Sequence, residues 1–302
     1  MTVYAKLAGI EAGDGFPALI LGAINVSPES FYKGSVAATE TDLQRRAEQM
    51  AAEGADMIDV GAMSTAPYLE TAITEAEEIQ RLIWAIGILR KAATLPISVD
   101  TKRSRVALAA LDAGATVIND VSGFRHDPAM ARVAAQSAQG AILMASETVS
   151  GARDPVGTVR EFLQQSLTLS DAAGLPRTCV VLDPGIGFFR RAVTSWEAWD
   201  CEVLRRLGEL RALGRPILVG LSRKSFIGKL LDKASPDDRL AGSLAATAVA
   251  ILNGAHIVRT HDVGPTRDAI RMAEALRPRR PSGVVADASG LLRDVGRLRG
   301  SE

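Results

Sequence analysis

Short apolar runs recur along this chain, each introduced by a residue that ends a helix or forbids one. Three begin with Gly-Ala: Gly54-Ala55-Asp56-Met57-Ile58-Asp59, Gly114-Ala115-Thr116-Val117-Ile118-Asn119 and Gly254-Ala255-His256-Ile257-Val258-Arg259. A fourth, Gly140-Ala141-Ile142-Leu143-Met144, passes straight from Ala141 into its apolar residues. Each Gly follows a helical pattern and reads as a helix C-cap, where left-handed backbone is needed. Pro17 leads Ala18-Leu19-Ile20-Leu21, Pro96 leads Ile97-Ser98-Val99, Pro216 leads Ile217-Leu218-Val219, and Cys179-Val180-Val181-Leu182 makes an eighth run. None alternates apolar with polar, so each reads as a strand buried on both faces, as in a parallel sheet covered by helices.

Between these runs, residues 42–53, 74–93, 103–113, 127–137, 158–173, 196–213, 238–253 and 264–276 carry apolar residues three and four apart, the period of an amphipathic helix. Eight strand–helix pairs favour an α/β fold of the (β/α)₈ TIM-barrel type over a doubly wound sheet. The expected organisation is one barrel domain over 1–277 and a short C-terminal tail over 278–302, because the pattern stops after Arg277-Pro278-Arg279-Arg280-Pro281. Within the tail only 290–299 has a helical pattern.

Lys plus Arg and Asp plus Glu both number 35, so net charge offers nothing to nucleic acid or to a membrane surface. Two cysteines, Cys179 and Cys201, fit a reducing compartment rather than a disulfide framework. No signal-peptide pattern opens the chain, and no apolar run approaches the about 20 residues that span a bilayer. A cytoplasmic location is the expectation.

Three of the runs end on a polar side chain: Asp100, Asn119 and Asp183. Such a group is costly to desolvate without a partner. One alone is as readily a cap on the following helix, but three in one barrel converge on the C-terminal mouth, where active sites are built. Carboxylates read amidine-like N–H groups well, so a flat heterocycle such as an aminopyrimidinone is a natural guest. Gly220-Leu221-Ser222-Arg223-Lys224-Ser225 is a loop opening a helix; two cations there oppose the helix dipole, so a bound anion explains them better than capping does. Arg259 and His261 alternate at the end of the last strand and both reach the mouth, where barrels commonly hold phosphate. His126 and His256 read as structural. Asn25-Val26-Ser27-Pro28-Glu29-Ser30-Phe31 and Ser64-Thr65-Ala66-Pro67 are polar, Pro-marked loops long enough to move over a site, although turn chemistry alone also accounts for them. No Cys or His cluster has zinc spacing, so an ion here would be magnesium carried in with a phosphorylated substrate.

Taken in order, these segments resemble the dihydropteroate synthase family and the wider pterin-binding barrels, from about Leu19 to Val263. Leu182-Asp183-Pro184-Gly185-Ile186-Gly187-Phe188 and Ser222-Arg223-Lys224-Ser225-Phe226-Ile227-Gly228 are similar to its most specific signatures, Asn25–Phe31 to its first loop, and Arg259-Thr260-His261-Asp262 to its last. The family condenses a dihydropterin carrying a 6-hydroxymethyl pyrophosphate with p-aminobenzoate and releases pyrophosphate. The resemblance implies that Asp100, Asn119, Asp183 and Lys224 hold the pterin ring, with Met144 and Phe188 in the same pocket. It implies that Asn25, Thr65, Arg259 and His261 hold the pyrophosphate, with Mg²⁺ at Asn25. Arg223 would stack over the pterin pocket, Ser225 would meet the carboxylate of the aminobenzoate, and the assembly would be a homodimer. Clamping the leaving group stabilises its growing charge while the arylamine attacks, and no protein nucleophile is required.

Three departures stand out. Lys33 replaces an Asp of the family's first loop, Ala66 replaces an Arg of its second, and the His-Met pair after the fifth strand is reduced to Met144, followed by Ala145-Ser146-Glu147. A cation at the lid suits a phosphorylated arylamine, such as the ribofuranosyl-aminobenzene phosphate of tetrahydromethanopterin biosynthesis, so both that pathway and folate biosynthesis stay open. Two other readings share the barrel: a pterin-dependent methyltransferase acting on a corrinoid protein, which has no use for the Ser-Arg-Lys-Ser segment, and a non-catalytic pterin-binding paralogue.

Overall fold

The computed structural model describes residues 2–27, 39–63, 73–146, 153–190 and 195–277. The chain opens with a hairpin, β1 (Tyr4–Leu7) and β2 (Ile10–Gly13), paired antiparallel. Eight parallel strands follow: β3 (Leu19–Asn25), β4 (Met57–Gly61), β5 (Ile97–Asp100), β6 (Val117–Asp120), β7 (Ala141–Met144), β8 (Val180–Asp183), β9 (Leu218–Gly220) and β10 (Ile257–Thr260). They lie in the order β8-β7-β6-β5-β4-β3-β10-β9. A parallel bridge between Leu182 and Ile217 joins the two ends and makes the sheet a nearly closed barrel. Around it run α1 (Glu40–Glu53), α2 (Glu75–Ala92), α3 (Ser104–Ala113), α4 (Met130–Ser137), α5 (Pro155–Ala172), α6 (Trp196–Arg205), α7 (Ser225–Leu230), α8 (Leu240–Leu252) and α9 (Val263–Leu276). All eight expected strands form. Among the described residues, no helix is long and apolar enough to cross a membrane.

Helix ends follow local chemistry. Thr39 caps α1 by accepting the Asp42 N–H at 3.1 Å, and Gly54 closes it in the left-handed region at φ 90°. Gly114 does the same for α3, at φ 114°. Gly140 does not: it lies outside the left-handed region, and a Cβ there would meet Leu7 Cδ2 at 2.3 Å. It is small so that the hairpin can approach. The helix expected over 196–213 also differs: α6 stops at Arg205, and 207–213 continue as tighter 3₁₀ turns up to Gly214.

The hairpin was not foreseen, because its two strands are only four residues long and its turn, Ala8-Gly9, needs Ala8 at φ 47°. It closes the N-terminal end of the barrel. Ala5, Leu7 and Ala12 pack in one buried cluster with Met57, Val117, Val181 and Ile257, the first inward layer of β4, β6, β8 and β10. The strand register sets the layers above, with alternate strands contributing to each. Leu21, Ser98, Ile142 and Leu218 form the second layer, and Asp59, Asn119, Asp183 and Arg259 the third. Two layers, apolar except for Ser98, therefore support a fully polar one. Above it, at the C-terminal mouth, stand Ala23, Asp100, Met144 and Gly220, and the small residues among them leave room for a ligand.

Candidate active site

Inside the polar layer, Arg259 donates through Nε to Asp59 Oδ2 at 2.6 Å, and Asn119 Nδ2 donates to the same oxygen at 3.2 Å. Arg259 also donates through Nη2 to Asp100 Oδ2, 3.2 Å away and one layer higher. Asp59 is fully buried. Burial opposes the charge on Arg259, but Asp59 and Asp100 outweigh it and hold the guanidinium more firmly protonated. Burial pushes the Asp100 carboxyl up to about 7, against the pull of Arg259 and with Asp59, Glu78 and Asp120 adding repulsion. Asp100 Oδ1 is buried and has no hydrogen-bond partner among the described residues.

Asp183 ends β8 at the same height. Its Oδ1 accepts the Gly185 N–H at 2.8 Å, and burial raises its pKa although Lys224 works in the other direction. The chain then turns through Gly185 at φ 72°, where a Cβ would fall 1.8 Å from the Ala145 carbonyl oxygen. No other residue fits there. This turn presents Phe188 to Lys224, whose Nζ lies 4.6 Å from the ring centroid and donates to the Ile186 carbonyl. Lys224 is lowered by burial to about 8, with Asp183 and Asp200 opposing the shift.

Asp100, Asn119, Asp183, Met144, Phe188, Lys224 and Arg259 are thus brought to one mouth. Asn25 ends β3 beside them: a Cβ on Gly61 would lie 3.8 Å from Asn25 Oδ1 and 3.7 Å from Asp100 Oδ2. His261 Nδ1 is 3.0 Å from Ser222 Oγ, and burial, with Arg259, Arg46, Arg223 and Lys224 nearby, holds the imidazole well below its usual pKa and so neutral. Thr65, Lys33 and Ala66 lie outside the described residues, as do Glu147 and the tail over 278–302.

Arg223 is placed differently from the expectation. It is buried, and its guanidinium holds both Asp262 oxygens at 2.9 and 2.8 Å and the Pro236 and Asp237 carbonyls at 3.0 and 2.8 Å. Its backbone sits at φ 54° and is fixed from both sides, the N–H by Ser243 Oγ at 2.8 Å and the carbonyl by Arg239 at 3.1 Å. This strained turn sends Arg223 away from the mouth and Lys224 into it. Ser225 accepts a hydrogen bond from Arg190, whose guanidinium lies 3.8 Å over the Trp196 ring and donates to the Gly187 carbonyl at 3.0 Å.

Asp59, Arg190 and Asp200 were not among the expected site residues. Asp59 had a visible signal: it holds the same place in its Gly-Ala repeat as Asn119 and Arg259 do in theirs. Among the described residues no group of three His, Cys, Asp or Glu side chains is arranged to hold a metal ion.

Residues 21–261 match the family described as pterin binding enzyme. The dihydropteroate synthase of Synechocystis sp. is 39% identical over 264 residues, covering 85% of this chain and 89% of that protein. The dihydropteroate synthase of Bacillus subtilis is 36% identical over 258 residues, 85% of this chain and 88% of that one. The structure of Xanthomonas albilineans dihydropteroate synthase with 4-aminobenzoic acid superposes with a TM-score of 0.80 at 35% identity, over 91% of this chain and 98% of the other. With the polar layer, the Asp-Pro-Gly turn and the Ser-Arg-Lys-Ser loop all at one barrel mouth, this chain belongs to the dihydropteroate synthase family of pterin-binding enzymes, a family of transferases.

Proposed function

We propose that the chain joins a dihydropterin bearing a 6-hydroxymethyl pyrophosphate to p-aminobenzoate in folate biosynthesis, releasing pyrophosphate. The observation that carries this reading is the polar layer that contains Asp183, with Asp100 above it and Lys224 beside it at the mouth. Asp100 Oδ1 is buried with no hydrogen-bond partner among the described residues, and Asp183 stands across the mouth from it with Lys224 at hand. Two carboxylates, the Asn119 amide and an ammonium complement the donor-rich amino edge and the carbonyl of a pterin. Phe188 gives the ring an apolar face.

In the reaction the bond between the methylene carbon and the pyrophosphate oxygen breaks, and its electrons leave with the pyrophosphate. The arylamine nitrogen forms the new bond and loses a proton. Neutral His261, the Asn25 amide and Arg259 stand where the leaving oxygens would lie, and Thr65 is assigned there by resemblance. A site built for developing negative charge lowers the barrier without covalent participation by the protein. Asn25 Oδ1 offers one oxygen to a magnesium ion, and a diphosphate and water would supply the rest, the usual way this ion is held. Bound there, the ion would neutralise charge on the departing group.

Ser225 and Arg190 would meet the carboxylate of p-aminobenzoate. The Xanthomonas albilineans relative, solved with 4-aminobenzoic acid, supports that amine, whereas a phosphorylated ribosyl-arylamine rests on Lys33 and Ala66 alone. Methyl transfer to a corrinoid protein would leave Arg259 and His261 without a pyrophosphate to meet. A homodimer would cover the exposed apolar side chains Val249 and Leu252 of α8 and Met272 and Leu276 of α9. The deciding experiment is pyrophosphate release from dihydropterin pyrophosphate with each amine in turn. Release with p-aminobenzoate supports the proposal, faster release with the phosphorylated amine reassigns the second substrate, and no release with either overturns the catalytic reading.

A further inference from the structure

Asp200 lies one helix behind the pterin pocket, on α6, and is buried. Its Oδ1 accepts the Gly187 N–H at 2.8 Å, and its Oδ2 is buried without a hydrogen-bond partner among the described residues. Gly187 is the floor on which Lys224 rests. At φ 85° it has no Cβ, and one there would lie 3.2 Å from Lys224 Cδ and 3.5 Å from Nζ. The same short turn supplies the Ile186 carbonyl to the Lys224 ammonium and the Phe188 ring beneath it. Stacking of Phe189 on Trp199, 5.2 Å between centroids, fixes α6 against this turn. A carboxylate buried in this place, with only one of its oxygens engaged, is a costly way to hold a glycine amide, for which a neutral acceptor would suffice.

We propose that Asp200 is a positioning residue for Lys224, pinning the turn on which the lysine lies and supplying, beside Asp183, a second carboxylate that holds its ammonium. The proposal rests on the role given to Lys224 in the pterin site. The charged groups that act on the pair are Asp183 from β8, Arg190 from the loop after it and Arg259 from β10, with Glu197 acting on Asp200 from its own helix. Burial raises Asp200 to about 6, so it is ionised at neutral pH, and its charge works against the burial that lowers Lys224 to about 8.

The test is the pH profile of kcat/KM for Asp200→Asn, which keeps an acceptor for Gly187 and removes the charge. With one carboxylate gone, the alkaline limb set by Lys224 should move to lower pH by roughly half to one unit, and a purely structural role would scale the profile without moving that limb. An unshifted alkaline limb overturns the proposal. If Asp200→Asn does not fold, Asp200→Ser, with a hydroxyl acceptor, carries the same measurement. Wild-type turnover is measured first, so that failure of the synthase reading, seen as no turnover at any pH, is separate from failure of this one.

Discussion

Asp59 Oδ2 receives two hydrogen bonds at once, from Arg259 Nε at 2.6 Å and from Asn119 Nδ2 at 3.2 Å, and so ties β4, β6 and β10 together at one height of the barrel. These three residues close three copies of the same Gly-Ala repeat. A barrel strand tilts, so residues in equivalent repeat positions on alternate strands come level and face one another. The repeat places the residues, and their complementary charge lets a polar layer sit on two layers that are apolar except for Ser98.

Removing Asp59 should therefore act on stability first. Asp59→Ala leaves Arg259 in the barrel with Asp100 as its remaining hydrogen-bonded carboxylate among the described residues, and Asn119 Nδ2 without its acceptor. Breaking a buried pair from one side usually costs about 3–5 kcal/mol. Here about 3 kcal/mol is expected, because Arg259 keeps its contact with Asp100. Denaturant unfolding of the ligand-free protein measures it, and a loss below about 1 kcal/mol would mean that the layer is held by something else.

Asp183→Ala should act on the ring instead. The carboxylate offers a charge-assisted hydrogen bond worth about 1.5–3 kcal/mol, so dihydropterin should bind on the order of tenfold to a hundredfold more weakly. Calorimetry with dihydropterin reads it directly, and unchanged affinity would remove Asp183 from the pocket.

Much of this site was legible in the sequence. Asp100, Asn119 and Asp183 stood out because each follows an apolar run directly, and the Ser-Arg-Lys-Ser loop because two cations at a helix start oppose its dipole, although Arg223 proves to be engaged structurally by Asp262 and two carbonyls. Asp59 escaped because Val60 and Gly61 follow it, which makes it a mid-strand residue, and only strand tilt brings it level with residues at strand ends. Arg223 and Lys224 are neighbours of the same charge, and nothing in their order says which one enters the barrel mouth. The φ of Arg223 and the waiting Asp262 decide it. Asp200 lies far along the chain from Lys224, and a carboxylate in an ordinary-looking helix carries no mark of burial. The hairpin was invisible for a related reason: four residues per strand are too few to show a period.

Leu7→Ala tests the hairpin's part. Leu7 is buried against Gly140 and the lowest layer of the barrel, so its truncation should cost about 2–5 kcal/mol of stability. The proposed pterin site is layers away, so kcat and KM should hold at temperatures where the variant remains folded. A variant that keeps its stability would show that the hairpin only rests on the barrel.

Asp100 should link ring binding to pH. Burial raises its carboxyl to about 7, while in the unfolded chain it titrates near 4. Between these values the folded protein binds the extra proton, so the Asp100 contribution to stability is greatest at low pH. It falls as pH rises through that window and is flat above it. Asp100→Asn should remove this slope, seen by comparing denaturant unfolding at pH 5 and pH 8. Dihydropterin needs the ionised carboxylate, so affinity should rise with pH up to about 7 and binding below it should release a proton. Calorimetry in buffers of different ionisation enthalpy counts that proton, and no release at pH 6 would place the ring elsewhere.

Arg190 should discriminate between substrates. Its guanidinium is fixed by the Gly187 carbonyl and the Trp196 ring and donates to Ser225, where the carboxylate of p-aminobenzoate is proposed to lie. Arg190→Gln keeps a donor but removes the charge and the planar fork that suits a carboxylate. The loss of one charge-assisted contact, about 1.5–3 kcal/mol, should appear as a KM for p-aminobenzoate raised roughly tenfold or more. The dihydropterin KM should stay close to wild type, because the Asp100 and Asp183 contacts are untouched. An uncharged arylamine such as aniline, poor with the wild type, should be used about equally well by both proteins. If Arg190→Gln instead weakens the two amines alike, the guanidinium serves the turn around Gly187 rather than the carboxylate. The anionic end of the second substrate must then be read by other residues.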